Sequence, residues 1–416
     1  MMIKKKRITA ALLALGLGAV TMFSQFPVSA AEETAQNTDA AAQTADPSVV
    51  VTNDIDGWPQ ASDISSTAAI VMETSTNTVL YSKNADQPLY PASAVKIMTC
   101  LIALENSSLD DTVTFSHDAV YNIEPGSAHI AILEGETLTL EQVLRAIILR
   151  SANEASNGVA EYVDGSVEAF AKHMTERAKE LGCTNTNFVN ANGLFDENHY
   201  TTAHDMALIA RELLKHEEYR SMMSETDYEI PPTNLQTETR YLHGQHQMLN
   251  PNSIYYYKDA IGGKTGYTVE AGNTLVTYAE RDGLTLIAVV MKCNGAEHYT
   301  DTAALFDYGF ANYKIEEMKI DNSKIKSVRV KKGEIKKIKP KYSSNQKVLL
   351  PKNSNKITYK YKFKKEVKAP IKAGDTLGEV EVYSSNNKIS TIPLKSDKNV
   401  KSVSFLYIFK KMINNI

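Results

Sequence analysis

The chain has 416 residues, 45 Lys plus Arg against 49 Asp plus Glu, and three cysteines. That length exceeds one domain of roughly 100 to 200 residues, so at least two domains are expected, and the odd, sparse set Cys100, Cys183 and Cys293 excludes a disulfide scaffold. Charge is divided unevenly, 16 basic against 42 acidic residues over 8–318 and 25 against 7 over 319–416, which puts a boundary near "NYKIEEMK" and gives the C-terminal part a preference for anionic surfaces or a solvated Lys-rich face.

The opening "MMIKKKRITAALLALGLGAVTMFSQFPVSAAEE" has a basic run, an apolar stretch from Ile8 to about Phe23 and the small-residue site Val28-Ser29-Ala30. This three-part form predicts a secretory signal over residues 1–31; a retained anchor needs an uninterrupted apolar span of roughly 20 residues. Residues 32–55 begin with Ala, Thr, Gln and acid that bury nothing, and are expected to form a disordered spacer. "AAIVMETSTNTVLYSKNADQ", Ala68 to Gln87, reads as a β-hairpin broken by a Thr/Asn turn.

Next comes "YPASAVKIMTCLIALE", the start of an apolar helix. A spacing of three places Ser93 and Lys96 about one turn apart on one helix face, so hydroxyl and amine can meet as nucleophile and base. Cys100 follows on the same face as Ser93, as a small core residue. In "TLTLEQVLRAIILRSANEASNGVAEYV", Thr139 and Gln142 form a capping box, and the helical pattern stumbles at Ser151-Ala152-Asn153 before resuming. "YTTAHDMALIARELLK" repeats the start signal with Thr202 and Asp205.

A Gly-rich run, Gly262 to Thr268, then reads as a strand ahead of a hairpin whose arms, Thr274 to Ala279 and Leu284 to Met291, flank the Asp282-Gly283 turn. The expected fold class is α+β, with helices packed on an antiparallel sheet over residues 56–315. Short Lys/Val/Ile/Tyr runs over 316–400 predict a small all-β sandwich. The tail, 401–416, is apolar over Phe405 to Phe409 yet carries Lys401, Lys410 and Lys411; it is expected to form an amphipathic helix at a membrane surface, the alternative being that it packs on the domain.

Three motifs stand in order: Ser93-Ala94-Val95-Lys96, Ser151-Ala152-Asn153 and Lys264-Thr265-Gly266. S-x-x-K, S-D-N and K-T-G together are the signature of penicillin-binding proteins and class A β-lactamases. With "NIEPGSAHIAILEGETLTLEQVLRAIILRSANEASNGVAEYV", "NTNFVNANGLFDENHYTTAHDMALIAREL" and "GGKTGYTVEAGNTLVTYAERDGLTLIAVVM", the chain resembles the serine-type D-alanyl-D-alanine carboxypeptidases, the low-molecular-mass penicillin-binding proteins, over residues 60–310. The Lys-rich sandwich and tail resemble that family's C-terminal module.

The resemblance implies a penicillin-binding/β-lactamase-like catalytic domain that trims the terminal D-alanine from peptidoglycan stem peptides ending in D-Ala-D-Ala at the extracytoplasmic face of the membrane. It further implies β-lactams as covalent inhibitors, a membrane surface as partner through the C-terminal helix, and neither cofactor, metal nor nucleic acid. Ser93 would be acylated, Lys96 would take its proton, and Ser151 would relay a proton to the leaving amine. Asn153 would hold the substrate amide. Lys264 and Thr265 would bind the terminal carboxylate, Gly266 would let substrate lie along the strand edge, and the Ser93 and Tyr267 N–H groups would form the oxyanion hole.

The middle motif departs from the family by Ala152, and the stretch "HGQHQML" lacks an Arg found upstream of K-T-G in some members, leaving Gln245 or His246 as substitutes. No E-x-x-x-N lies between Ser151 and Gly193, so slow deacylation of penicillin is expected rather than β-lactamase activity. Transpeptidation and endopeptidase cleavage use the same site, and a non-catalytic wall-binding or β-lactam-sensing module would need only the fold. His243 and His246 have metal-like spacing without a partner to complete a set. Asn192-Gly193 reads as a turn that lines the cleft, and "IYYYK", Ile254 to Lys258, reads as β-rich core or a substrate wall.

Overall fold

The computed structural model describes residues 51–403 apart from 344, 355 and 356, and the signal, most of the spacer and the tail beyond Val403 lie outside the described residues. The chain begins with the hairpin β1 (Ala68–Glu73) and β2 (Val79–Lys83), then a 3₁₀ turn over Ala92–Val95 that feeds α1 (Lys96–Asn106). A helical region follows: β3 (Thr112–Thr114), α2 (His117–Tyr121), β4 (Thr137–Thr139), α3 (Leu140–Arg150), α4 (Asn153–Asp164), α5 (Val167–Glu180), α6 (Ala203–Leu213) and α7 (Glu217–Met222). The small hairpin β5 (Asp227–Ile230) and β6 (Arg240–His243) leads to β7 (Ala260–Thr268), β8 (Gly272–Arg281), β9 (Leu284–Cys293) and α8 (Glu297–Asn312).

The central sheet has the order β2-β1-β9-β8-β7, so β7 is a free edge. Its middle strands are buried on both faces, which is why they read as continuous apolar runs rather than as an alternation. Alternate residues still separate cleanly: Ile70, Met72, Ile287 and Val289 join the core beneath α1, α3, α4 and α6, whereas Ala69, Val71, Leu286 and Val290 join a second core with α8.

That second core continues into the C-terminal strands through Tyr313, Leu349, Val380 and Ile392. Strand β10 (Tyr313–Glu317) pairs with β13 (Lys347–Pro351). Strands β11 (Val328–Lys331), β12 (Lys337–Ile338) and β15 (Glu366–Lys368) form one small sheet, and β14 (Ile357–Phe363), β16 (Thr376–Ser384) and β17 (Asn387–Lys395) form another. The expected break at residue 316 thus falls inside β10, whose pairing commits it to the C-terminal part from Tyr313 onward.

Two further boundaries move. The expected spacer ends early, because Thr52 is buried, donates to the Leu80 carbonyl at 3.0 Å and accepts from the Tyr313 hydroxyl at 3.0 Å. The first three residues of the expected anchor are not helical: the Val403 N–H donates to the Lys332 carbonyl and Ser402 bridges Gly333, so residues 401–403 run extended against the β domain. Ser93 is also not inside α1 but on the 3₁₀ turn before it, which Ala92 enters at φ 47°. Three residues make one turn of a 3₁₀ helix, so Ser93 and Lys96 still fall one above the other.

Phe306, fully buried on α8 among Tyr257, Phe310 and the second core, ties the sheet to the C-terminal strands. Phe306→Ala is expected to cost about 3–5 kcal/mol, read as a lower urea midpoint.

Candidate active site

The S-x-x-K serine opens a cleft along the free edge of β7. Ser93, Ser151, Thr265, Gly266 and Tyr267 line one cavity of about 260 Å³, closed on its other wall by Gln245, Asn273, His298 and Tyr299. Five of the eight expected site residues therefore share one opening, and Lys96, Asn153 and Lys264 lie buried beneath it.

Lys96 is wholly buried, and its Nζ has three partners: Ser93 Oγ at 3.0 Å, Asn153 Oδ1 at 2.7 Å and the Asn192 carbonyl in a very short contact. Desolvation drives its pKa well below the ordinary lysine value, and the charge of nearby Lys264 pushes in the same direction. A neutral amine has two N–H donors and one lone pair. Two of its partners here can only accept, so when Lys96 is neutral its lone pair is left facing the Ser93 hydroxyl. The same three contacts suit an ammonium, with Ser93 then accepting. Gain or loss of a proton thus leaves no partner unsatisfied.

Ser151 caps the C-terminal end of α3 in the left-handed region, φ 57° and ψ 30°. This sharp junction is where the helical pattern stumbles, and it allows α4 to start at once with Asn153 turned toward Lys96. The Ser151 Oγ is buried with no hydrogen-bond partner. An orphaned hydroxyl in the cavity wall is costly unless substrate uses it.

Lys264 is buried and donates to its neighbour's carbonyl, Thr265 O, at 2.7 Å. Its ammonium does not line the cavity, so Thr265 rather than Lys264 is placed to touch a ligand there. Burial lowers the Lys264 pKa to about 7. Packing by itself requires Gly266: a Cβ there would sit 2.9 Å from Ala94 N and 3.0 Å from both Pro91 O and Ser93 N. The strand and the Ser93 turn touch backbone to backbone.

Reading the chain alone understated the loop 190–194. Thr99 on α1 donates to Ala191 O at 2.6 Å, Asn157 accepts from Asn192 Nδ2 at 3.0 Å, and Gly193, at φ 85°, leaves no room for a side chain against Ala92 and Ser93. The motif Asn-Ala-Asn-Gly was visible as a turn, but its carbonyl facing Lys96 was not. Glu154 was also missed. It is buried beside Asn153, accepts from Ile130 N at 2.7 Å, and desolvation raises its pKa.

The two candidate substitutes for an upstream Arg separate. Gln245 lines the Ser93 cavity, whereas His246 is buried below it and meets Thr277 Oγ1 at 3.1 Å. His243 meets Asp227 at 2.6 Å on the exposed β5–β6 hairpin. "IYYYK" forms turns rather than a strand. Ile254 is exposed, while Tyr255 stacks on the cavity residue Tyr299 with ring centroids 4.9 Å apart.

A serine and a buried lysine facing a K-T-G edge strand define the penicillin-binding-protein class. Residues 56–295 match the family described as D-alanyl-D-alanine carboxypeptidase, and residues 313–402 match the C-terminal domain of penicillin-binding protein 5. The chain is 32% identical to the D-alanyl-D-alanine carboxypeptidase DacF of Bacillus subtilis, over 84% of this chain and 89% of the relative. Penicillin-binding protein 5 from Haemophilus influenzae superposes with a TM-score of 0.70 at 25% identity, covering 82% of this chain and 99% of that one. The Streptomyces K15 DD-transpeptidase gives a TM-score of 0.57 at 27% identity, over 61% and 99%. The chain belongs to the D-alanyl-D-alanine carboxypeptidase family.

Gly266→Ala is expected to keep the fold but lower kcat by about 10²-fold or more, because the Ser93 N–H, expected from the sequence to be an oxyanion donor, must move and losing such a donor has that effect. Thermal melting and steady-state kinetics on a D-Ala-D-Ala peptide read the two parts separately.

Proposed function

We propose that the protein is an exported serine D,D-carboxypeptidase in which Ser93 attacks the carbonyl between the last two D-alanines of a stem peptide. The observation that carries this reading is the 3.0 Å contact between the Ser93 hydroxyl and Lys96, a wholly buried amine whose pKa desolvation drives well below the ordinary lysine value. As the Ser93 Oγ–carbon bond forms, the hydroxyl proton passes to Lys96. The developing oxyanion is held by the N–H groups of Ser93 and Tyr267, a pairing supported by the close approach of the Gly266 backbone to Ser93 N.

The C–N bond then breaks, and the leaving amine takes its proton through Ser151, whose partnerless hydroxyl lies in the same cavity. Asn153 has its Oδ1 committed to Lys96, so its Nδ2 is the group left to hold the substrate carbonyl. The free carboxylate of the leaving residue meets the Thr265 hydroxyl above the Lys264 charge, with Gln245 standing where a cationic clamp is absent. Water, activated by the same lysine, hydrolyses the acyl-enzyme. β-Lactams acylate Ser93 by the same route and leave slowly.

Trimming the terminal D-alanine removes the donor bond for cross-linking, so the enzyme limits wall cross-links. Among the described residues no helix is long and apolar enough to cross a membrane. The tail sequence "SFLYIFKKMINNI" and the basic C-terminal part support attachment to a membrane surface rather than a span. A truncation after Val403, which spares the contacts of residues 401–403, is expected to retain activity on soluble peptide and to release the protein from membranes in a flotation assay.

Ser93→Ala is expected to abolish both the penicillin adduct, read by intact-protein mass spectrometry, and D-alanine release; either one surviving would refute the assignment. The pH profile follows from the two lysines. Activity needs neutral Lys96, so kcat/KM falls at low pH as that amine gains a proton. It also needs charged Lys264, so kcat/KM falls on the alkaline side from about pH 7. A bound carboxylate holds the Lys264 proton, so the alkaline limb of kcat should lie at higher pH than that of kcat/KM.

A further inference from the structure

The free edge of β7 does not end at the Ser93 cavity. Thr265, Gly266 and Tyr267 line that cavity, and Gly263, two residues upstream, lines a second one of about 370 Å³. Gln245 belongs to the walls of both, so the two adjoin. The second cavity has an apolar side built by Ile148, Leu149 and Met223, and an acidic rim at Glu225 and Asp227, with no Lys or Arg among its lining residues. His246 is nine-tenths buried in its wall, with Nε2 held by Thr277 and Nδ1 without a partner. Ile148, Leu149, Met223, Glu225, Asp227 and His246 have no part in the chemistry at Ser93.

We propose that this second cavity is a subsite for the side chain of the leaving residue, and that it favours a C-terminal D-residue with a long aliphatic stem ending in a cation. The inference rests on the reading that Ser93 is acylated with the leaving carboxylate at Thr265. From there the next space along the strand is the one beside Gly263. A methyl group would leave a cavity of this volume largely unfilled. A lysine-like stem would lie along Leu149 and Met223 and bring its ammonium to the rim. Both rim acids already have partners, Glu225 with Arg145 and Asp227 with His243, and Arg150 reaches the His243 carbonyl at 3.4 Å, so the attraction for a cation is that of partly neutralised carboxylates. Discrimination of about tenfold is the scale expected for one such contact. The reaction is unchanged: the acyl C–N bond breaks, Ser93 keeps the acyl group, and the D-residue departs as a neutral amine that carries the proton Ser93 gave up.

The test compares kcat/KM of the full enzyme for three diacyl tripeptides, L-Lys-D-Ala followed by D-Ala, D-Lys or D-Glu. The expected result is that D-Lys leaves at least as readily as D-Ala and about tenfold more readily than D-Glu. Asp227→Lys, at an exposed position, should collapse the D-Lys to D-Glu ratio, while Glu176→Lys, exposed on α5 and not among the lining residues, should leave it in place. Equal cleavage of D-Lys and D-Glu overturns the proposal. So does a ratio that Asp227→Lys does not move, one that Glu176→Lys moves equally, or a parallel fall for all three peptides. Failure of the underlying reading looks different, because D-alanine would then not be released from the D-Ala peptide at all.

Discussion

Everything at this site depends on an amine held out of water with three fixed oxygen partners. Burial makes the charge on Lys96 expensive, and Lys264 adds repulsion to desolvation. The arrangement works because its hydrogen bonds are satisfied in either protonation state. Two partners never donate, and the third, the Ser93 hydroxyl, can face either way. A base that loses no hydrogen bond on changing charge needs little rearrangement around it when the proton moves.

That amine is kept in place by three segments distant in sequence. The 3₁₀ turn brings Ser93 over Lys96; the left-handed Ser151 turns α4 so that Asn153 faces inward; the loop 190–194 supplies a carbonyl from the other side. Glycines at 193 and 266 let the loop and β7 close on the Ser93 turn to backbone contact. The rigidity of the cleft is thus a packing property of the central sheet and α1, carried by cores on both of the sheet's faces.

Much of this was legible along the chain. The hairpins around β8 and β9, the Thr139 capping box and the three-motif order are local signals, and local signals survive in one dimension. Where the reading slipped, a long-range contact was responsible. Thr52 is ordered by Leu80 and Tyr313, and β10 joins the C-terminal part because β13, some thirty residues on, pairs with it. "IYYYK" has β-forming residues, but Tyr255 is held by a ring on α8 instead of by a strand partner.

The sequence by itself determined which residue types stand at the site, in what order, and that a basic C-terminal part follows them, because these depend only on identity and spacing. Tertiary structure alone decided which groups reach the cavity and which act from beneath it. Lys264 and Thr265 are neighbours in the chain, yet strand alternation turns one into the core and the other to the cleft. The state of Lys96 was likewise undecidable from its neighbours in the chain, because desolvation is set by atoms that only folding brings around it.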